Sequence, residues 1–200
     1  MTTRHPQPAV QQNLALIGGR GCGKSSIARQ LARDNRNFLL LSLDVLIRYE
    51  MGGRPIPEIV EREGWEGFRD VEFRVLERAV AFERGALLDC GGGVVVDVDA
   101  AGREALSERK VELLRKRCVV IYLRRDSAYL EAKIGKDANR PTLSAEKSFQ
   151  EIMERRDPWY QTAAHHVLEC GKRSKSEIAK EVLAEFGRRD GLGELTSQRD

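Results

Sequence analysis

The sequence predicts an α/β protein of three layers, α/β/α, with a five-stranded parallel sheet between two layers of helices. Three observations carry this. Five short apolar runs recur along the chain: NLALI (13–17), FLLLSLD (38–44), ALLDC (86–90), CVVIYL (118–123) and HHVLEC (165–170). Stretches with helical spacing of apolar residues separate them, and such alternation implies parallel strands joined by right-handed crossovers. There is no internal repeat, and 200 residues suit one hydrophobic core.

Taken in order, NLALI stops at Gly18, as a buried parallel strand does before a turn. Lys24 to Asp34 reads as a helix, with Ile27, Ala28, Leu31 and Ala32 on one face and Ser25 and Ser26 in its first turn. FLLLSLD is a second strand that ends on Asp44. Pro55–Glu63 and Trp65–Glu83 read as two helices separated by Gly64; Phe68, Val71, Val75, Leu76, Ala79 and Phe82 form the apolar stripe of the second. ALLDC runs straight into Gly91-Gly92-Gly93. Val98 to Arg117 is expected to carry one or two helices, with KVELLRKR as a solvated face. CVVIYL follows as a strand, then helices over Ser127–Gly135 and Lys147–Arg156 with a polar linker containing Arg140-Pro141 between them. HHVLEC is a last short strand and Ser176–Phe186 a closing helix. Residues 1–12 are expected to be a flexible lead-in, 13–187 a single domain, and 188–200 a disordered, polar tail.

Composition narrows the function classes. Net charge is +3, from 34 basic and 31 acidic residues, too even for a general nucleic-acid binder. No apolar run approaches the ~18 residues that span a membrane, and the start MTTRHPQPAVQQN lacks a signal-peptide core. Cys22, Cys90, Cys118 and Cys170 are scattered without a CxxC pair, which points to buried thiols and a reducing cytoplasm. His165 and His166 are adjacent in a strand and face opposite ways, so no metal site is expected there. Trp65 and Trp159 read as packing anchors.

Gly18 to Ser25 fits G-x-x-x-x-G-K-[ST] between a strand and a helix, the context a phosphate loop requires. Gly18, Gly21 and Gly23 let the backbone of this loop, Cys22 included, turn N–H groups toward an anion. The helix start, with Ser26, adds partial positive charge. Lys24 can reach the β- and γ-phosphates, and Ser25 can ligate Mg²⁺. No NKxD-type guanine signature follows, so a compact metabolite kinase using ATP and Mg²⁺ is the leading subclass. In doubly wound sheets ligands sit at the carboxyl ends of strands, where Asp44, Asp89 and Gly91–Gly93 fall.

The stretches LIGGRGCGKSSIARQLA, GWEGFRDVEFRVLE, CGGGVV, NRPTL and ERRDPWY, in this order, resemble the shikimate kinase family from about Leu14 to Phe186. The resemblance implies a P-loop kinase fold with a mobile lid over about 133–146. It implies ATP-dependent phosphorylation of the 3-hydroxyl of shikimate. The chain is expected to act as a monomer, and its charge and hydropathy predict no nucleic-acid or membrane partner. Asp44 would bind the ring hydroxyls and act as base; Arg69 and Arg156 would clamp the carboxylate. Gly91, Gly92 and Gly93 would present backbone to the acceptor. Arg140 would meet the ATP phosphates from the lid, and Lys133 and Arg173 would lie toward the adenine. From the residues alone, Arg69 could instead be a solvated charge near Glu66 and Asp70, Arg156 could pair with Glu154 or Asp157, and Asp44 could cap a helix.

The family usually carries Asp-x-Asp after its second strand; here the stretch is Ser42-Leu43-Asp44. A serine offers only a neutral oxygen toward the water shell of Mg²⁺. Asp89, which resembles a Walker B acid, is expected to take over that duty, with a turn cap as the competing role. Two further readings stay open: a P-loop kinase for another small hydroxy acid, and a non-catalytic nucleotide-binding module.

Overall fold

The computed structural model describes residues 12–99, 101–134 (side chains to 131) and 148–190. The expected lid over 133–146, with Arg140, lies almost wholly outside them, as do the lead-in through residue 11 and the tail beyond 190. Five strands form one parallel sheet: β1 (Asn13–Ile17), β2 (Leu39–Ser42), β3 (Ala86–Asp89), β6 (Cys118–Arg124) and β7 (His166–Glu169). Their order is β2-β3-β1-β6-β7, so the chain reverses direction across the sheet beside β1. Ligands bind at such a switch point in doubly wound folds.

Every residue of β1 is buried, because helices cover both faces of this central strand. One face packs under α2 (Leu43–Glu50), α3 (Ile56–Ala79) and α4 (Glu108–Arg117), through Leu43, Ile47, Val71 and Leu76. The other packs under α1 (Lys24–Asp34) and α7 (Lys175–Asp190), through Ile27, Leu31, Val182 and Phe186. A fully buried side chain of this size contributes roughly 1.5–3 kcal/mol. Asn13 is the one polar residue in β1; it donates to Phe82 O (2.8 Å) and accepts from Ala86 N (2.9 Å), tying β1 to the start of β3.

Several expectations are corrected. The described residues from Val98 up to Glu108 are not helical: β4 (Val96–Val98) and β5 (Glu104–Leu106) form a small antiparallel hairpin, and α4 begins only at Glu108. The KVELLRKR face is not wholly solvated, because Lys110 is completely buried. Asp44 does not end a strand; β2 stops at Ser42, and Asp44 sits in the first turn of α2. Helix α3 joins both predicted helices, with the break at Gly64, whose φ of 69° favours glycine, but it ends at Ala79, so Phe82 is exposed outside its apolar stripe. Helix α6 (Phe149–Ala163) opens on a Ser148–Glu151 capping box and runs on through Pro158, which seats Tyr160 and Ala163 in the core. Helix α7 continues to Asp190, so Arg188 and Arg189 belong to a helix that pairs them with Glu185 rather than to a tail. Helix α5 (Ser127–Ile134) lies where expected.

Candidate active site

The phosphate loop connects β1 to α1. Gly18, Gly21 and Gly23 all have φ between 85° and 142°, the region that favours glycine. At Gly18 a Cβ would also lie 2.7 Å from Leu123 O on β6, so the loop can only pass this close without a side chain. Gly23 caps α1, whose first turn presents Ser25 and Ser26. Lys24 folds back over the loop, donating to Gly18 O (2.7 Å) and Gly19 O (3.0 Å). Burial works against its charge, but Cys22, Tyr160, Asp89 and Asp44 around it outweigh that and hold its pKa above the usual value. Lys24 is therefore a fixed cation at the loop. Cys22 is buried, with its carbonyl accepting from Arg125 Nε (3.0 Å), so it serves the loop through packing and backbone.

Asp89 ends β3 beside this loop. Burial raises its carboxyl pKa, opposed by a hydrogen bond from Ser25 and by the Lys24 charge. Ser42 is its register partner on β2. Hydroxyl and carboxylate oxygens gathered at a phosphate loop suit Mg²⁺, which keeps most of its waters and needs few protein ligands. Among the described residues no group of three His, Cys, Asp or Glu side chains could hold a metal, so any ion here depends on such a shared shell.

A second concavity opens next to the loop. It is lined by Asp44, Arg69, Gly91, Gly92, Gly93 and Arg156, together with Arg20, Ile56, Trp65, Phe68 and Glu72. The six expected acceptor residues thus meet in one pocket, although they come from α2, α3, the β3–β4 turn and α6. Arg69 is 3% exposed, not a solvated charge; Asp70 pairs instead with Arg109. Its Nη1 donates to Glu72 Oε2 (2.9 Å), and its guanidinium stacks 5.3 Å from the Trp65 and Phe68 rings. Its Nε is buried with no hydrogen-bond partner among the described residues. A buried donor without a partner is costly, so this atom is held there by the packing of the rest of the side chain. Arg156 is 1% exposed and pairs with neither Glu154 nor Asp157; it binds Glu104 and donates to Gly92 O (3.4 Å).

Two of the three glycines leave room for side chains of the pocket. A Cβ at Gly91 would lie 2.9 Å from Asp44 Oδ1, and one at Gly93 would lie 2.7 Å from Arg69 Cζ. Glu72 carries more than Arg69: Lys110 Nζ reaches the same Oε2 (2.9 Å). Burial pushes the Glu72 pKa up, but Lys110 and Arg69 together bring it below the ordinary value, so it stays ionised. Tyr160 O–H donates to Gly92 O.

Of the other expected residues, Arg140 lies outside the described residues. Lys133 lies in α5 with its side chain undescribed. Arg173 stands in the turn before α7, where it binds Glu181 and Glu169 O. Arg125, which sequence reasoning passed over, bridges that turn to the phosphate loop by donating to Cys22 O and Gly171 O. Trp65 has a use beyond packing, because it stacks on Arg69. Glu72 could have been found as the last residue of GFRDVE, one helical turn from Arg69, and Tyr160 as the last residue of ERRDPWY; Glu104 and Arg125 left no sequence signal.

A phosphate loop at the switch point of a β2-β3-β1-β6-β7 sheet, with an arginine-lined pocket beside it, defines a P-loop kinase. The shikimate kinase family profile matches residues 20–186. A shikimate kinase of Leptospira biflexa is 43% identical over 175 residues, covering 88% of this chain and 96% of its own. One from Dehalococcoides mccartyi is 33% identical, over 86% of this chain and 92% of its own. The solved structure of an Acinetobacter baumannii shikimate kinase in complex with shikimate superposes with a TM-score of 0.75 at 27% identity, covering 89% of this chain and 94% of that one. A Sinorhizobium meliloti gluconokinase, at 13% identity and a TM-score of 0.58, shares the fold alone. The chain belongs to the shikimate kinase family, whose members are ATP-dependent kinases.

Proposed function

We propose that this chain transfers the γ-phosphoryl group of ATP to the 3-hydroxyl of shikimate, yielding shikimate 3-phosphate and ADP for aromatic amino-acid biosynthesis. The observation that carries this is the pocket in which Asp44, two buried arginines and a side-chain-free glycine turn face one another beside the phosphate loop.

In this reading Arg69 and Arg156, which both line the pocket, hold the acceptor's carboxylate. The backbone of Gly91–Gly93 lies against the ring. Asp44 orients the 3-hydroxyl in line with the phosphorus and accepts its proton as the new O–P bond forms. Lys24 and the loop N–H groups take up charge on the phosphates, and Arg140 adds to them from the lid. Lys133 and Arg173 lie toward the adenine. Ser25, with Asp89 in support, would hold Mg²⁺, which supplies charge neutralisation between the phosphates when bound. Little covalent chemistry is asked of the protein; positioning and electrostatics carry the rate. The enzyme acts as a cytoplasmic monomer. No helix among the described residues is long and apolar enough to cross a membrane.

Mass spectrometry of the product formed from Mg-ATP and shikimate tests this reading. A shikimate monophosphate is expected, with no product when gluconate replaces shikimate; phosphorylated gluconate would overturn the acceptor assignment.

A further inference from the structure

We propose that the β4–β5 hairpin carries a positioning residue for the acceptor site: Glu104 sets the orientation of Arg156 and so determines affinity for the acceptor's carboxylate. This rests on the reading that Arg156 binds that carboxylate.

The geometry is specific. Glu104 is the first residue of β5, and its carboxylate takes the Nε/Nη2 edge of Arg156, with Nε donating to Oε2 at 3.1 Å and Nη2 to Oε1. Arg155 Nη2 donates to the same Oε2 at 2.6 Å. Nη1 of Arg156 points to Gly92 O on the pocket wall, so the end of the guanidinium remains directed at the acceptor site. A planar guanidinium held bidentately along one edge cannot rotate, and its other edge is therefore aimed. One carboxylate against two arginines leaves the cluster with a net positive charge, which suits an anionic acceptor. Burial raises the Glu104 pKa, but Arg156 and Arg155 bring it below the ordinary value, so the anchor stays charged.

The hairpin is also pinned one register position away: Asp97 on β4, paired with Ala105, accepts from Ser107 Oγ (2.7 Å) and Arg109 Nε (2.9 Å). Glu104 is thus presented by a braced element rather than a free loop. It touches neither the phosphate loop nor, in the proposed mechanism, any reacting atom.

Steady-state kinetics of the full chain test this with Glu104→Gln, which keeps size and one acceptor, and Glu104→Ala, against Arg156→Ala as reference. We expect KM for shikimate to rise about 10- to 100-fold in Glu104→Ala and by a smaller factor in Glu104→Gln. KM for ATP should change less than about twofold in both, since a general loss of folding would move both constants. An unchanged or lowered shikimate KM in the folded Glu104→Gln protein, or equal shifts for the two substrates, would overturn the proposal. If Arg156→Ala itself leaves the shikimate KM unchanged, it is the carboxylate-clamp reading that fails, whatever the Glu104 variants do.

Discussion

Ser42 and Asp89 are register partners on the neighbouring parallel strands β2 and β3, and Asp89 accepts a hydrogen bond from Ser25 of the phosphate loop. The pair places one carboxylate and one hydroxyl side by side at the strand ends. The resemblance implies an acid at position 42, so the carboxylate here stands one strand over, still within reach of the loop serine.

From this relationship, Asp89→Asn should raise the Mg²⁺ concentration needed for half-maximal turnover by about 10-fold or more, the scale seen when a supporting group around a metal is lost. Calorimetric titration of Mg²⁺ into the ATP complex provides a second readout. An unchanged Mg²⁺ dependence would reduce Asp89 to a turn cap.

Asp44, in the first turn of α2, is the proposed base. Asp44→Asn should lower kcat by about 10²- to 10⁴-fold, while nucleotide affinity, followed by fluorescence or calorimetry, stays within a small factor. Weakened ATP binding with intact turnover would move Asp44 to the donor side of the site.

Gly93 lies directly beneath Arg69, where an added Cβ would sit 2.7 Å from Cζ. Gly93→Ala must therefore displace the guanidinium. It and Arg69→Ala should both raise the shikimate KM, by about 10- to 150-fold for loss of charge-assisted hydrogen bonds, without a comparable effect on ATP. A defect confined to ATP would remove Arg69 from the acceptor site.

Asp97 supplies a pH test of the hairpin brace. Burial raises its pKa, but the hydrogen bond from Arg109, the Lys110 charge and the Ser107 hydroxyl outweigh it, and the value falls from 3.8 to about 2. A carboxyl whose folded-state pKa is depressed contributes stability that is present above its unfolded value and lost as pH falls through the folded one. The wild type should therefore exceed Asp97→Asn in stability by about 1 kcal/mol at neutral pH, allowing for solvent screening, and the gap should close between pH 3.8 and 2. Urea unfolding at pH 7 and pH 3 measures this; a gap that grows on acidification contradicts the assignment.

Much of this was legible in the sequence, and what was not has physical causes. The strands of the main sheet announce themselves as apolar runs because β1, β3 and β6 are buried on both faces. The hairpin does not: VDV and EAL are three-residue strands whose pairing depends on each other, and their acids resemble a helical stretch. Arg69 is ambiguous in the sequence because Glu66 and Asp70 lie within a helical turn of it; the buried partner is instead Glu72. Lys110 looked solvated because its partner Glu72 is 38 positions away and its partner Asp97 lies on the hairpin. Helix α6 outruns its predicted end because burying Tyr160 and Ala163 outweighs the bond lost at Pro158.

The most direct measurement is ADP release from Mg-ATP in a coupled assay, with and without shikimate. The account predicts strong release that requires shikimate and is lost in Asp44→Asn. ATP binding without shikimate-dependent release would contradict it.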